Sequence, residues 1–311
     1  MPISSAEKNP TTSKVLASAK SGKSSIVSSN WISVNWHITE VCNYRCRFCF
    51  ATFANAPKAS RIGEEEGWAI IDRLKELGCQ KLTFAGGEPL LHPHLHSWIC
   101  HAKSVGLTTM LITNGHFWKE DTADRFAGRL DWVGLSVDAS TQTLQSSLGR
   151  GNYDPLTRAE FVSRTAKTNG IRFKLNTVVT ALNKEDDMSP IVEASMPERW
   201  KIFQYLPVEG ERVDPELILS EADFAFYVQR HRYLEEIGVS VVPEDNDAMT
   251  GSYRMLDPWG QPYDNRETGS AGKAAYGKRT YGESLLDSLP EEKELNFSLE
   301  KLQKRRGLYQ W

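Results

Sequence analysis

SVNWHITEVCNYRCRFCF, residues 33–50, decides how the chain is read. Its first seven residues, 33–39, are rich in β-formers and predict a strand. Three of the chain's five cysteines follow at once: Cys42, Cys46 and Cys49. Working outward, strand-like runs recur at KLTFAG (81–86), TTMLITN (108–114), WVGLSVD (132–138), RFKLNTVV (172–179) and KIFQYLP (201–207). Helical stretches at 64–78, 94–106, 119–130, 155–170 and 184–195 lie between them. Gly78, Gly106 and Gly170 stand where helices should end, since glycine tolerates the left-handed backbone of a C-terminal cap. Alternating strands and helices with right-handed crossovers build a parallel sheet. Six such units predict an α/β fold, a partial (β/α)6 barrel over residues 30–210. Residues 211–311 form a C-terminal extension expected to close the active site. It holds a helix at 220–238, a strand at 239–244 and a Gly-, Asp- and Tyr-rich stretch, 245–282, that reads as one long loop.

Composition excludes several classes. The chain has 311 residues and a net charge of −3, so its overall charge does not attract nucleic acid. No apolar run approaches the ~20 residues of a membrane span. Residues 1–29 are rich in Ser and Lys and poor in large apolar residues, which predicts a disordered lead-in. Three clustered cysteines among five are not a secreted disulfide framework, so a reducing, cytoplasmic location is expected. A monomer is expected.

Three thiols in eight positions sit where the first strand ends, on the face where barrels carry their chemistry. A structural zinc site needs four ligands. Cys79 and Cys100 lie elsewhere and read as ordinary buried cysteines. An iron–sulfur cluster normally takes four thiolates, so three leave one iron open for a ligand. A catalytic zinc site remains the alternative at this point.

Polar residues inside the strands give a second signal. Arg172, Lys174 and Asn176 share one face under the two-residue period, and so do Arg199, Lys201 and Phe203. Lys81 opens the second strand. Pointing inward, such cations need an anion, and a polyphosphate suits them. Pointing outward, they are solvated.

CNYRCRFC, with Phe48 before the last cysteine, resembles the cluster motif of the radical S-adenosylmethionine (SAM) enzymes. AGGEP (85–89), ITNG (112–115) and LSVD (135–138), each at a strand's end, resemble the same family. The resemblance implies a [4Fe-4S] cluster on Cys42, Cys46 and Cys49 whose open iron binds SAM. It also implies SAM contacts from Phe48, Gly86, Gly87, Glu88, Pro89, Asn114, Ser136 and Arg150, with Glu88 accepting from the SAM ammonium. Reductive cleavage of SAM would yield a 5′-deoxyadenosyl radical. No cysteine follows Cys100, so the second cluster of many peptide-modifying members has no ligands here.

Later motifs narrow the resemblance to the viperin-like nucleotide dehydratases: LGRG (148–151), NKEDDM (183–188), ERWKIFQ (198–204), PEDNDAM (243–249), SYRMLD (252–257) and RRGLYQW (305–311). That resemblance, over about residues 31–311, implies conversion of a nucleoside triphosphate to its 3′-deoxy-3′,4′-didehydro analogue, an antiviral chain terminator. Lys174, Arg199 and Lys201 would clamp the triphosphate, with Lys81, Asn176 and Asn35 nearby. Tyr253 would supply a proton or hydrogen atom near the ribose, and the tail would close over the site. A flavodoxin- or ferredoxin-like protein would deliver electrons. A pyrimidine base, in CTP or UTP, is favoured over guanine. Vertebrate members begin with an amphipathic membrane-binding helix. Residues 1–29 lack one, so no membrane anchor and a microbial or fungal relative are expected. The alternative is a radical SAM enzyme acting on another small molecule or a peptide.

Overall fold

Each of the predicted strands forms, and helices pack between them. The computed structural model describes residues 31–54, 56, 61–208, 211, 213–264, 280–281 and 285. The N-terminal segment 1–29 and the tail motif 305–311 lie outside the described residues. Seven strands run parallel in chain order: β1 (Ser33–His37), β2 (Lys81–Ala85), β3 (Thr108–Thr113), β4 (Trp132–Ser136), β5 (Arg172–Val179), β6 (Arg199–Gln204) and β7 (Ser240–Glu244). The helices are α1 (Glu64–Glu76), α2 (Leu95–Ser104), α3 (Glu120–Phe126), α4 (Gln142–Ser147), α5 (Pro155–Thr168), α6 (Ser189–Ser195), α7 (Glu221–His231) and the single turn α8 (Asn246–Met249). None of the described helices is long and apolar enough to cross a membrane.

Local chemistry sets the boundaries. Asp154 caps α5 by accepting from the Thr157 amide, with Pro155 at the first helical position. Ser220 caps α7 in the same way, through the Asp223 amide. Gly78, Gly106 and Gly170 take φ of 86°, 79° and 69°, the left-handed conformation that ends a helix. The helix expected over 184–195 starts only at Ser189. Before it, Asn183 is tied back into a turn by the Thr180 amide and by its own bonds to the Asp138 and Val178 carbonyls.

The stretch 245–282, expected as one long loop, instead contributes α8 and three short strands. These are β8 (Arg254–Leu256), β9 (Pro262–Asp264) and β10 (Thr280–Tyr281). Strands of two or three residues carry no readable period, and the Gly, Pro and Asp around them read as loop. β8 pairs in parallel with β1, Val34 opposite Arg254, and the sheet order is β10-β9-β8-β1-β2-β3-β4-β5-β6-β7. The chain therefore leaves the β7 edge and, within residues 245–253, arrives beside β1. No ladder joins β7 to β8 among the described residues, so the sheet stays open, with seven parallel strands and β8, beyond the six units expected, and the Glu244–Tyr253 hydrogen bond bridges the gap.

The period of two sorts each strand into an outer and an inner face. On β1, Val34 and Trp36 are fully buried, and Trp36 stacks on Trp98 of α2 with centroids 4.8 Å apart. Truncating such a ring to alanine costs about 3–5 kcal/mol. Ser33, Asn35 and His37 alternate with them and face a cavity inside the sheet.

Candidate active site

The inner faces and the loops after the strand ends enclose a cavity of about 700 Å³. Its mouth is built by the cysteine loop. Cys42, Cys46 and Cys49 all line it, and none is in a disulfide. Two other loops clamp that loop backbone to backbone. On one side the amides of Gly87 and Glu88 donate to the carbonyls of Thr39 (2.6 Å) and Val41 (2.8 Å). On the other, the Arg45 amide donates to Gly149 (3.2 Å) and the Arg47 amide to Leu148 (3.0 Å). Glycine is required at both contacts. A Cβ on Gly87 would lie 2.2 Å from the Val41 carbonyl oxygen, and one on Gly149, at φ 76°, would lie 2.3 Å from that of Arg45. The GGEP and LGRG motifs therefore hold the thiol loop in place.

The donor set fits an iron–sulfur cluster. Three thiols share one short loop, and nitrogen donors reach two of them: the Tyr44 amide to Cys42 Sγ at 3.3 Å and Arg150 Nη1 to Cys46 Sγ at 3.6 Å. Hydrogen bonds to sulfur are among the features that tune such clusters. Among the described residues no three His, Cys, Asp or Glu side chains converge tightly enough for a single ion. The corners of a cluster ask for more widely spaced thiols than one zinc ion does. Burial, reinforced by Cys46, pushes the Cys49 thiol up to about 11, so ligation there must displace a proton.

Beside the mouth, Arg150 is wedged between three groups. Its Nη2 donates to the Ser136 carbonyl, its Nη1 reaches Cys46, and its Nε stands 3.0 Å from Asp138 Oδ2, in ion-pair contact but off the hydrogen-bond angle. Both side chains of the pair are almost fully buried. Glu88 is fully buried and is not among the residues that line the cavity. It accepts from the Leu90 amide (3.0 Å), the Thr113 hydroxyl (2.7 Å) and the Asn114 amide (2.8 Å). Its carboxylate thus sets the turn at the end of β3, from which Asn114 reaches Asn43 Oδ1 (2.8 Å) on the cysteine loop.

The floor is cationic. Lys81 from β2, Lys174 from β5, and Arg199 and Lys201 from β6 all face the cavity, so the inward reading of these strands holds. Lys174, Arg199 and Lys201 are each 7% exposed. Burial first, then the charges of Lys201 and Arg199, bring Lys81 down to about 7. Lys174 is held well below its ordinary value, again by burial first and then by Lys201, Lys81 and Arg199. Such crowding of like charges in a dry site is costly unless an anion arrives. Arg199 lies over the Trp132 ring, 5.4 Å from its centroid. Arg172, at the strand's outer end, pairs with Glu198 at the surface instead (2.7 Å).

Where the floor meets the seam between β7 and β8, three groups bond to one another. Lys201 Nζ donates to Glu244 and, at 2.9 Å, to the Tyr253 hydroxyl, which itself donates to Glu244. Glu244 is 2% exposed.

Among the cluster, SAM, substrate and catalytic candidates named from sequence, all but Glu88 and Pro89 line this cavity, Asn35, Phe48, Ser136, Asn176 and Tyr253 included, while Arg172 does not. Sequence reasoning missed Glu244, Thr83 and His37. Thr83 and His37 follow from the same period of two that flags Lys81 and Asn35, but neither carries a charge to draw the eye. The Thr83 hydroxyl and Asn176 Oδ1 are buried polar atoms without a hydrogen-bond partner. His37 sits against Phe50, Phe53 and Tyr263, with centroids 5.5–5.9 Å away. Tyr205 also lines the cavity, and Trp259 packs against Phe53 nearby.

Residues 36–194 match the radical SAM superfamily. The chain is 35% identical over 300 residues to the S-adenosylmethionine-dependent nucleotide dehydratase of Flammeovirga pacifica, covering 92% of this chain and 99% of that one. It is 30% identical over 295 residues to the S-adenosylmethionine-dependent nucleotide dehydratase RSAD2 of Danio rerio, covering 90% and 78%. The chain belongs to the S-adenosylmethionine-dependent nucleotide dehydratases. As a member of this radical SAM family it is an enzyme whose cofactors are SAM and an iron–sulfur cluster, which decides against the zinc alternative. In fold it is also similar to anSMEcpe with bound AdoMet, with a TM-score of 0.59 at 15% identity over 75% of this chain and 73% of that one.

Proposed function

We propose that this dehydratase takes a nucleoside triphosphate, CTP or UTP foremost and GTP third, to its 3′-deoxy-3′,4′-didehydro analogue. One observation carries the proposal: the three thiols and four cations, three of them buried and Lys81 half-buried, open on the same cavity. Cys42, Cys46 and Cys49 would hold a [4Fe-4S] cluster, and three protein thiols would leave one iron open to SAM. Backbone at Gly86 and Gly87, with Asn114, Ser136, Phe48 and Arg150, forms the wall beside SAM. Bound there, these cofactors would supply the radical chemistry, a 5′-deoxyadenosyl radical able to take hydrogen from ribose C4′. Lys174, Arg199, Lys201 and Lys81 bind the triphosphate and relieve their own mutual repulsion, with Asn35 and Asn176 beside them. This clamp fixes the ribose between floor and mouth, so positioning is the protein's main contribution. The C3′–O bond then breaks and the hydroxyl leaves as water. That step needs one proton, assigned to Tyr253, and one electron from a flavodoxin- or ferredoxin-like donor.

The test is anaerobic. After cluster reconstitution and reduction by dithionite, SAM is added with CTP, UTP, GTP or ATP. One nucleotide should stimulate both 5′-deoxyadenosine formation and a product lighter by one water. SAM cleavage indifferent to every nucleotide would overturn the proposal.

A further inference from the structure

Glu244 is an anion set into the wall of a site that, on the reading above, binds a highly charged anion. As an electrostatic element alone it opposes substrate. Its environment points to a different task. The carboxylate ends β7, is 2% exposed, and accepts from both Lys201 and Tyr253, while Lys201 also donates to the Tyr253 hydroxyl at 2.9 Å. These residues come from three places: β6, the end of β7, and the residue just before β8. Residues 245–253 carry the chain across the seam of the sheet, and the Glu244–Tyr253 bond spans that crossing. Glu244 does not itself line the cavity, whereas Lys201 and Tyr253 do.

We infer that Glu244 is the positioning residue of the dehydration step, resting on the proposed reaction. It fixes the Tyr253 hydroxyl at the ribose and holds the Lys201 Nζ against it. The C3′–O bond breaks, and the departing oxygen takes the Tyr253 proton. The Tyr253 oxygen takes a proton from Lys201 along the bond already present. The external electron donor supplies the single electron to the sugar, and solvent later returns a proton to Lys201. Glu244 gains and loses nothing; it aligns donor and acceptor, a geometric contribution of the kind that governs proton-transfer efficiency.

The experiment compares wild type, Glu244→Gln, Glu244→Asp, Tyr253→Phe and the Glu244→Gln/Tyr253→Phe double variant, each reconstituted and shown to hold its cluster by absorbance. Three quantities are read with CTP: affinity, 5′-deoxyadenosine formed, and dehydrated nucleotide per 5′-deoxyadenosine. Glu244→Gln should leave CTP affinity equal or tighter, keep 5′-deoxyadenosine formation, and lower the coupling ratio about tenfold or more. Glu244→Asp should recover part of that ratio. The double variant should be no worse than Tyr253→Phe alone, because the two residues act as one unit. A Glu244→Gln ratio equal to wild type overturns the inference. So does additivity in the double variant, or weakened CTP affinity with coupling intact. If wild type shows no nucleotide-dependent product, the proposed reaction fails first and the inference falls with it, a result distinct from all the others.

Discussion

The mouth and the floor of this cavity are built by opposite means. At the mouth, three loops meet backbone to backbone, and glycines at positions 87 and 149 let them approach. At the floor, strands present long charged side chains into a dry interior, where Lys81 and Lys174 are strained electrostatically until an anion arrives. The mouth is thus shaped for a group that must be gripped at fixed geometry. The floor is poised for a ligand that brings its own charge. The lesson is separability: a lesion in the mouth should stop all chemistry, while a lesion in the floor should impair substrate handling and leave SAM cleavage standing.

The largest effect expected is at the mouth. Cys46→Ala should abolish the cluster's absorbance and all turnover. Retained cluster and activity would break the division at its root. Gly87→Ala is next: its methyl group would push against the Val41 carbonyl, so the thiol loop should shift and 5′-deoxyadenosine formation should fall by about a hundredfold or more. Substitution without loss would mean the loop has slack that the contacts deny.

At the floor the losses should be smaller and selective. Lys201→Ala removes charge-assisted bonds worth about 1.5–3 kcal/mol, so nucleotide triphosphate affinity should weaken about ten- to hundredfold. Cluster content and slow, uncoupled SAM cleavage should persist. Unchanged affinity in a titration would remove Lys201 from the clamp. The smallest effect is in pH. With Lys81 near 7 in the free protein, it is charged below that pH and neutral above it. A bound triphosphate favours the charged form, so above about pH 7 binding must take up a proton at Lys81, and at Lys174 wherever that lysine too is neutral, and affinity should fall by up to about tenfold per pH unit for each proton taken up. Calorimetry in two buffers of different ionisation enthalpy reads that proton uptake directly. No uptake at pH 8 would place the anion elsewhere.

The two regions also differ in how far the sequence revealed them. Cysteine spacing and strand-end motifs are local, so Cys42 to Cys49 and the loops around them are readable without the fold. Lys174 and Lys201 are readable because the period of two puts them on one face, although only the structure shows that face turned inward. Glu88 illustrates a limit. Its motif is plain in the sequence, but the bonds its carboxylate accepts from Leu90, Thr113 and Asn114 are not. The seam shows another. Glu244 and Tyr253 meet because a three-residue strand, β8, docks beside β1 across more than two hundred positions of sequence, and so short a strand leaves no periodic trace.

The central claim, that mouth and floor serve one substrate held between them, is tested most directly with a nucleoside triphosphate deuterated at C4′. Reduced, reconstituted enzyme with SAM should yield 5′-deoxyadenosine heavier by one deuterium, formed in step with the dehydrated nucleotide. Unlabelled 5′-deoxyadenosine, formed alongside that product, would contradict the account.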